Sequence, residues 1–400
     1  VKLEDVNIYD PDLYVKAVPH ETFALLRAQE PVFWQELPEG AGYWALLKHA
    51  DVMAASKDWQ TFSAARGGII IEDQSPQQLA AMRTQLLSMD PPEHIRIRRI
   101  VLDAFTPTMI AELEPWLRAR AREIMQVAAE KRDCDFVRDL AAELPLQTIN
   151  QIMAIPEADR GRIVELGDKL IGRTDPEVAA REGAANPAAE LGAYGFKLAS
   201  ERKGRGGKDL ISLMLNAELE GHPLNEVEFA ALFVQIAVAG NETTRSLLAG
   251  AMLALLENPR TYRELESDFA LLPTAIEEML RWTTPVHYFR RTATRDVEVR
   301  GKKIREGDRV VLHYTSANFD EEVFEEPFRF DIRRDPNPHL AFGWGEHFCL
   351  GARLARLEAQ VFFEEFFRCF SQAELTGPPR RLRSNLTNSI REIPIRLTPR

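Results

Sequence analysis

Residues 342–351 read Phe342-Gly-Trp-Gly-Glu-His-Phe-Cys-Leu-Gly351, ten positions holding three glycines and one cysteine directly before a long amphipathic segment. From Ala352 to Phe370 the apolar residues Leu354, Leu357, Val361, Phe362 and Phe366 recur at helical spacing. Cys349 is therefore expected at or just before a helix N-terminus, where unpaired N–H groups and the helix dipole favour negative charge and lower a thiol pKa. The amides of Leu350 and Gly351 are placed to donate to its sulfur. Gly343, Gly345 and Gly351 carry no side chain, so the backbone there can approach a flat ligand closely. The plainer alternative is a buried structural cysteine after a glycine turn.

This loop resembles the haem-binding loop of the cytochrome P-450 monooxygenases, in the bacterial form with His two residues before Cys, and it matches at every defining position. The resemblance implies that Cys349 is the axial thiolate, and so the metal ligand, of haem b. Phe342, Gly343 and Gly351 would then lie against the cofactor, and His347 would serve a propionate. A thiolate ligand pushes electron density into the iron and favours O–O cleavage.

The other motifs follow in the family's order. Asp90-Pro-Pro-Glu-His-Ile-Arg-Ile-Arg98 starts with an N-cap signal and places His94 and Arg98 four apart on one helix face. Donors in that arrangement suit a haem carboxylate, and the resemblance assigns them so; a solvated basic patch is the other reading. Residues 225–257 form one long helix, apolar on most sides. Its middle carries Ala239-Gly-Asn-Glu-Thr-Thr244. An acid beside a hydroxyl is costly inside an apolar helix unless something compensates it. Gly240 would tolerate a local opening in which Thr243 turns inward instead of bonding its own backbone. The resemblance makes Glu242 and Thr243 the acid–alcohol pair, with Thr243 on the oxygen side and Glu242 relaying protons, and puts Ala239 and Gly240 against the haem. Arg291 matches the arginine for the second propionate.

Glu278 and Arg281 are three apart on a short helix, and Arg329 in Pro327-Phe-Arg-Phe330 matches the third member of a buried structural triad. Substrate contacts implied by the resemblance are Ala239 and Thr243, Val286 and His287 after that helix, Ile70 in the irregular segment 62–88, and Leu386 in the turn before the last strand. Residues 173–187, rich in small and charged residues, read as a mobile helix connection suited to a lid. The basic turn 203–208 lacks phosphate-loop spacing.

Composition narrows the function. The 400 residues carry a net charge of −11, which argues against nucleic acid or an anionic membrane surface as partner. No apolar run reaches spanning length and no signal sequence opens the chain, so a cytoplasmic monomer is expected. Three scattered cysteines, Cys134, Cys349 and Cys369, form no disulfide framework or zinc spacing. No linker divides the chain, and one domain over 1–400 is expected. The fold is expected to be mainly α with small β-sheets, the haem buried between the oxygen-activating helix and the Cys loop.

The implied reaction inserts one atom of O2 into a C–H bond of a hydrophobic small molecule. Electrons would come from a ferredoxin and its NAD(P)H-dependent reductase, since no flavin or iron–sulfur domain is fused here. Arg96, Arg99, Arg353 and Arg356 are candidates for a basic docking face. Stretches 88–101, 281–296 and 311–324 resemble actinobacterial members acting on sterol side chains and methyl-branched lipids; terpenoids and fatty acids stay open. The rival functions are a peroxide-driven fatty-acid hydroxylase and a non-catalytic haem–thiolate carrier or sensor.

Overall fold

The computed structural model describes residues 2–171, 186–202, 207, 209–219 and 222–400. The lid segment expected over 173–187 lies outside them except for its last two residues, as does the 203–208 turn except for Gly207.

The helices that position the site are α1 (His20–Gln29), α2 (His49–Lys57), α3 (Glu93–Leu102), α4 (Pro107–Lys131), α5 (Glu143–Ile152), α6 (Arg160–Ile171), α7 (Pro187–Arg202), α8 (Glu226–Glu257), α9 (Leu272–Thr283) and α10 (Ala352–Cys369). The spine is α8. Its start is fixed by a capping box: the Asn225 side chain accepts from the Val227 and Glu228 N–H groups, and Glu228 accepts from the Asn225 N–H. At 32 residues it runs for about 48 Å and spans two separate cores. Its first half sends Leu232, Phe233 and Ile236 into a core shared with Ile97, Ile149 and Leu191. Its second half sends Leu247, Met252 and Leu255 into another, shared with Leu117, Ile276 and Phe362. Each such side chain contributes about 1.5–3 kcal/mol when fully buried. The polar residues from Asn241 to Ser246 fall between the two cores. The protein thus tolerates polarity in the middle of a buried helix because no core closes there.

Strands β1 (Val32–Gln35), β2 (Tyr43–Leu46), β3 (Phe62–Ser63), β4 (Tyr288–Ala293) and β5 (Arg309–His313) make a sheet in the order β1-β2-β5-β4-β3. It is antiparallel except where β5 pairs in parallel with β2, Val310 opposite Trp44. The segment 297–314 yields three strands, Val297–Val299, Lys302–Ile304 and β5, with Gly301 and Gly307 at positive φ in the turns.

At the end of β5, His313 is buried among Phe23, Tyr43 and Tyr288 with neither ring nitrogen hydrogen-bonded. Burial lowers its pKa to about 3. The unfolded chain takes up this proton near pH 6.5 while the folded one stays neutral, so stability is constant above that value and falls below it. The loss is about 1.4 kcal/mol per pH unit, continuing towards pH 3. Melting temperature measured from pH 7.5 to 5 should fall less steeply in His313→Phe than in the parent. Parallel curves would remove His313 as a source of acid sensitivity.

Two expectations need correction. Asp90 does not cap a helix with its side chain. Its carboxylate accepts from Ser63 Oγ and from the Ala64 N–H (2.8 Å), while Pro92 holds the N-cap position of α3. Nor does Arg329 complete the buried triad: it is exposed and paired with Glu326 at 3.0 Å. Arg334 takes that place, with Nε 3.1 Å from Glu278 Oε2, while Arg329 contributes only its carbonyl to Arg281 and Arg334. Local sequence favours the nearby acid for Arg329, whereas the chain reversal after Asp331 carries Arg334 back to α9.

Candidate active site

The Cys loop is closed by its own backbone. The Cys349 N–H donates to Phe342 O (2.9 Å) and the Gly343 N–H to Leu340 O (2.9 Å). Gly343 and Gly345 both adopt positive φ. At Gly345 an added Cβ would lie 2.5 Å from the Ser56 carbonyl oxygen, so the loop rests on α2 only because that residue is glycine. Arg356, one turn into α10, pairs with Glu277 (2.6 and 2.7 Å) and covers the Phe342 ring at 4.6 Å.

Cys349 stands three residues before α10. The Gly351 N–H hydrogen-bonds its sulfur and Arg98 and Arg356 favour the thiolate, but burial dominates and raises the thiol pKa. The lowering expected from a helix N-terminus is therefore outweighed in the protein alone, because desolvation of an anion exceeds what one amide and two flanking cations return. A bound cation such as iron reverses that balance by deprotonating the thiol outright.

The sulfur opens onto a cavity of about 220 Å3 between the loop and the polar middle of α8. Its wall near Cys349 holds Phe342, Gly343, His347, Gly351, His94 and Arg98; the facing wall holds Ala239, Gly240 and Thr243. Apolar residues fill the rest, among them Leu86, Leu87, Phe105, Ile236, Val286 and Phe289. His94 is buried with both ring nitrogens unbonded, His347 Nε2 is likewise unbonded, and the two rings lie 4.3 Å apart. Burial, Arg98 and Arg291 hold His94 at about 4, and burial, Arg291, His94 and Arg98 hold His347 well below its usual value. Arg98 donates to Phe348 O (2.7 Å), and Arg291 to Arg290 O (2.9 Å). A positive field with three orphaned buried nitrogens, inside a chain of net charge −11, calls for an anionic ligand. A flat dianionic macrocycle edge that also presents a metal to Cys349 fits these residues. Among the described residues no cluster of three His, Cys, Asp or Glu is placed to bind a metal, so a porphyrin would have to supply the other ligands.

On α8 the structure separates the acid from the alcohol. Thr243 lies on the cavity, and its Oγ1 donates to Ala239 O at 2.8 Å. Glu242 is buried away from it, accepting from Ser389 Oγ (2.8 Å) and paired with Arg245. The helix is unbroken through this point, so the expected local opening at Gly240 is absent. Gly240 instead admits Ile149, whose Cδ1 would lie 2.3 Å from an added Cβ.

Three expected substrate contacts are not on the cavity. His287 is fully buried, with Nδ1 2.7 Å from Thr315 Oγ1 and its ring against Tyr14 at 4.8 Å. Neighbouring residues of an extended segment face opposite ways, so with Val286 on the cavity His287 turns from it. Ile70 packs in a small apolar cluster with Ala64 and Ile69. Leu386 covers that cluster and its neighbour, while its carbonyl accepts from the His287 N–H (2.8 Å). Sequence reasoning missed Val101, Phe105, Leu232 and Ile236, although helical spacing could have found them. His94, Arg98 and Val101 share one face of α3, with Phe105 in the short 3-10 turn that follows it, and Leu232, Ile236, Ala239 and Thr243 share one face of α8.

Comparison with known proteins agrees with this geometry. The Cytochrome P450 family profile matches residues 154–397. A methyl-branched lipid omega-hydroxylase of Mycobacterium tuberculosis is 42% identical over 409 aligned positions, covering 99% of this chain and 95% of the relative. The chain belongs to the cytochrome P450 family. A steroid C26-monooxygenase of Mycolicibacterium smegmatis is 38% identical, covering 97% of this chain and 92% of its own. A cytochrome P450 of Mycobacterium marinum, solved in complex with pseudoionone, superposes with a TM-score of 0.88 at 36% identity over 94% of both chains. The protein is thus a cytochrome P450 monooxygenase with the P450 fold and haem as its cofactor. Among the described residues no helix is long and apolar enough to cross a membrane.

Proposed function

We propose that this P450, working as one domain over residues 1–400, hydroxylates a steroid or methyl-branched lipid, with a terpenoid as the next candidate class. The observation that carries the reading is the cavity itself, apolar from Leu86 to Phe289 and opening directly onto Cys349 and Thr243. The activities named for the two bacterial relatives support it. In this reading Cys349 ligates iron, and His94, Arg98, Arg291 and His347 hold the carboxylates. Phe342, Gly343 and Gly351 lie on the thiolate side, with Ala239 and Gly240 opposite. Bound haem supplies O2 activation. The apolar wall excludes water and holds the substrate's C–H bond near Thr243. The Thr243 hydroxyl leaves Ala239 O to hold a proton at Oγ1, which Glu242 replenishes.

Electrons arrive from a ferredoxin served by an NAD(P)H-dependent reductase. Exposed Arg99 and Arg353 support this reading. Arg96 and Arg356 contribute less, since Arg96 pairs with Glu93 at 2.7 Å and Arg356 with Glu277. Thr243→Ala is expected to lower the share of NAD(P)H converted to product, within the ~10²–10⁴ typical of an acid–base group. Unchanged coupling would remove Thr243 from proton delivery and favour a carrier, or a peroxide-driven enzyme if peroxide alone sustains turnover. Titrating the ferric protein with cholesterol, pseudoionone, 15-methylhexadecanoic acid and hexadecanoic acid tests the substrate class. A saturable low-to-high-spin shift of the Soret band with the steroid or the branched acid supports the proposal. A shift with hexadecanoic acid alone, or with none of them, overturns it.

A further inference from the structure

On the side of α8 away from the haem cavity is a second, much smaller void, about 10 Å3, bounded by α5, α6 and α8. That is the space one water requires. Its lining is unusually polar for so small a space: Asn150, Asn241 and Glu242 face it, with Ile149, Ile163 and Ala237 as apolar walls. Asn150 is fully buried, yet neither its Oδ1 nor its Nδ2 has a partner among the described residues. Asn241 Oδ1 is buried and unpartnered as well. An amide buried in this way costs several kcal/mol in a dry site. A water with two to four polar neighbours removes most of that cost. Gly167 of α6 borders the same void, and an added Cβ there would meet no atom within 4 Å, so the packing leaves a gap beside α6.

Among the described residues Glu242 is the one acid that touches this void, and the next residue of α8 is Thr243 on the haem cavity. We propose that the void is an ordered-water site held by Asn150 and Asn241, that it feeds protons to Glu242 from behind α8, and that Asn150 is a positioning residue for this supply. The inference rests on the monooxygenase role given above to Thr243 and Glu242. The balance is simple. Glu242, a carboxylate where it meets Arg245 and Ser389, takes one proton from the water, which regains one from solvent past Gly167, and on turning from Arg245 passes that proton towards Thr243; only O–H bonds form and break. Asn150 orients the water by accepting at Oδ1 and donating at Nδ2.

The test uses the haem-loaded ferric protein, the near-isosteric Asn150→Leu and the polar Asn150→Ser. A crystal structure of the parent should show one water within hydrogen-bond distance of Asn150 and Asn241; density absent there overturns the water site, whether or not turnover is observed. With the ligand that gives the spin shift, Asn150→Leu should lower coupling about tenfold, short of the ~10²–10⁴ of an acid–base group itself. It should also raise the solvent isotope effect on turnover, while spin shift, substrate affinity and melting temperature stay at parental values. Asn150→Ser, which keeps a donor and an acceptor, should recover most of the coupling. The role fails if Asn150→Leu couples like the parent. It also fails if coupling falls only together with substrate affinity, or if the melting temperature rises, as relief of a dry buried amide would produce. Failure of the monooxygenase reading is distinct, because the parent would then form no product.

Discussion

Cys349→Ser is expected to abolish turnover and the thiolate-type spectrum of the reduced carbon monoxide complex. A serine hydroxyl does not ionise here. The surrounding groups that favour an anion, the Gly351 N–H, Arg98 and Arg356, do not outweigh burial even for the far more acidic thiol. The protein around the site should still fold, because Cys349 serves the loop through its backbone, whose N–H bonds Phe342 O. The variant is therefore expected to keep the parent's far-ultraviolet circular dichroism and to bind less haem. A thiolate-type spectrum retained in Cys349→Ser would show that the sulfur is not the ligand.

Glu278→Gln should cost the fold about 3–5 kcal/mol, the usual result of stripping one partner from a buried ion pair. Glu278 and Arg281 are both fully buried. The glutamate accepts two bonds from Arg281 (2.8 Å each), and one each from the Asp331 N–H (2.9 Å), Arg334 Nε (3.1 Å) and Asn337 Nδ2 (3.1 Å). Arg281 in turn donates to Asn318 O and Pro327 O, each at 2.9 Å, and lies over the Phe319 ring at 4.8 Å. One carboxylate thus ties α9 to the whole 318–337 crossing, and removing its charge strands the guanidinium without a counter-ion. Urea unfolding of the haem-loaded protein reads the loss directly. A change below about 1 kcal/mol would show that the remaining carbonyl partners suffice. The double change Glu278→Gln with Arg281→Met should recover part of the loss, since it removes the fully buried Arg281 charge and leaves only the partly accessible Arg334 without its carboxylate.

Sequence reading reached furthest where chemistry and local spacing coincide. The Cys loop needs its glycines, its cysteine and a following amphipathic helix in a fixed order, so its residues declare themselves together. The helix expected over 225–257 is found over Glu226–Glu257, and the structure shows why it starts there: Asn225 and Glu228, three positions apart, form a capping box. His94 and Arg98 share a helix face whatever the rest of the chain does. These features depend on separations of a few residues, and the folded protein keeps the Cys loop, His94 and Arg98 on the same cavity.

Contacts across longer separations were another matter. That Arg334, and not Arg329, reaches Glu278 depends on how residues 331–337 reverse direction, which neighbouring side chains do not encode. The segments of His287 and Ile70 reach the cavity through Val286 and Leu86, but the side chains of His287, Ile70 and Leu386 point into other clusters. Rotation about an extended segment by one residue exchanges inside for outside, and only packing against the sheet sets it. The split of Glu242 and Thr243 follows from the helix itself, which turns consecutive residues about 100° apart; packing decides only which of the two faces the cavity. The sharing of one void by Asn150 and Asn241 is again a matter of packing: the two residues, 91 positions apart, line it together only because α5 packs against α8 there. The sequence by itself determined the family and the order of the main helices, since these follow from short-range spacing. The tertiary structure alone decided which side chains line the cavity, which arginine locks the fold and which buried amides share a void, because each is a choice of direction made by distant parts of the chain packing together.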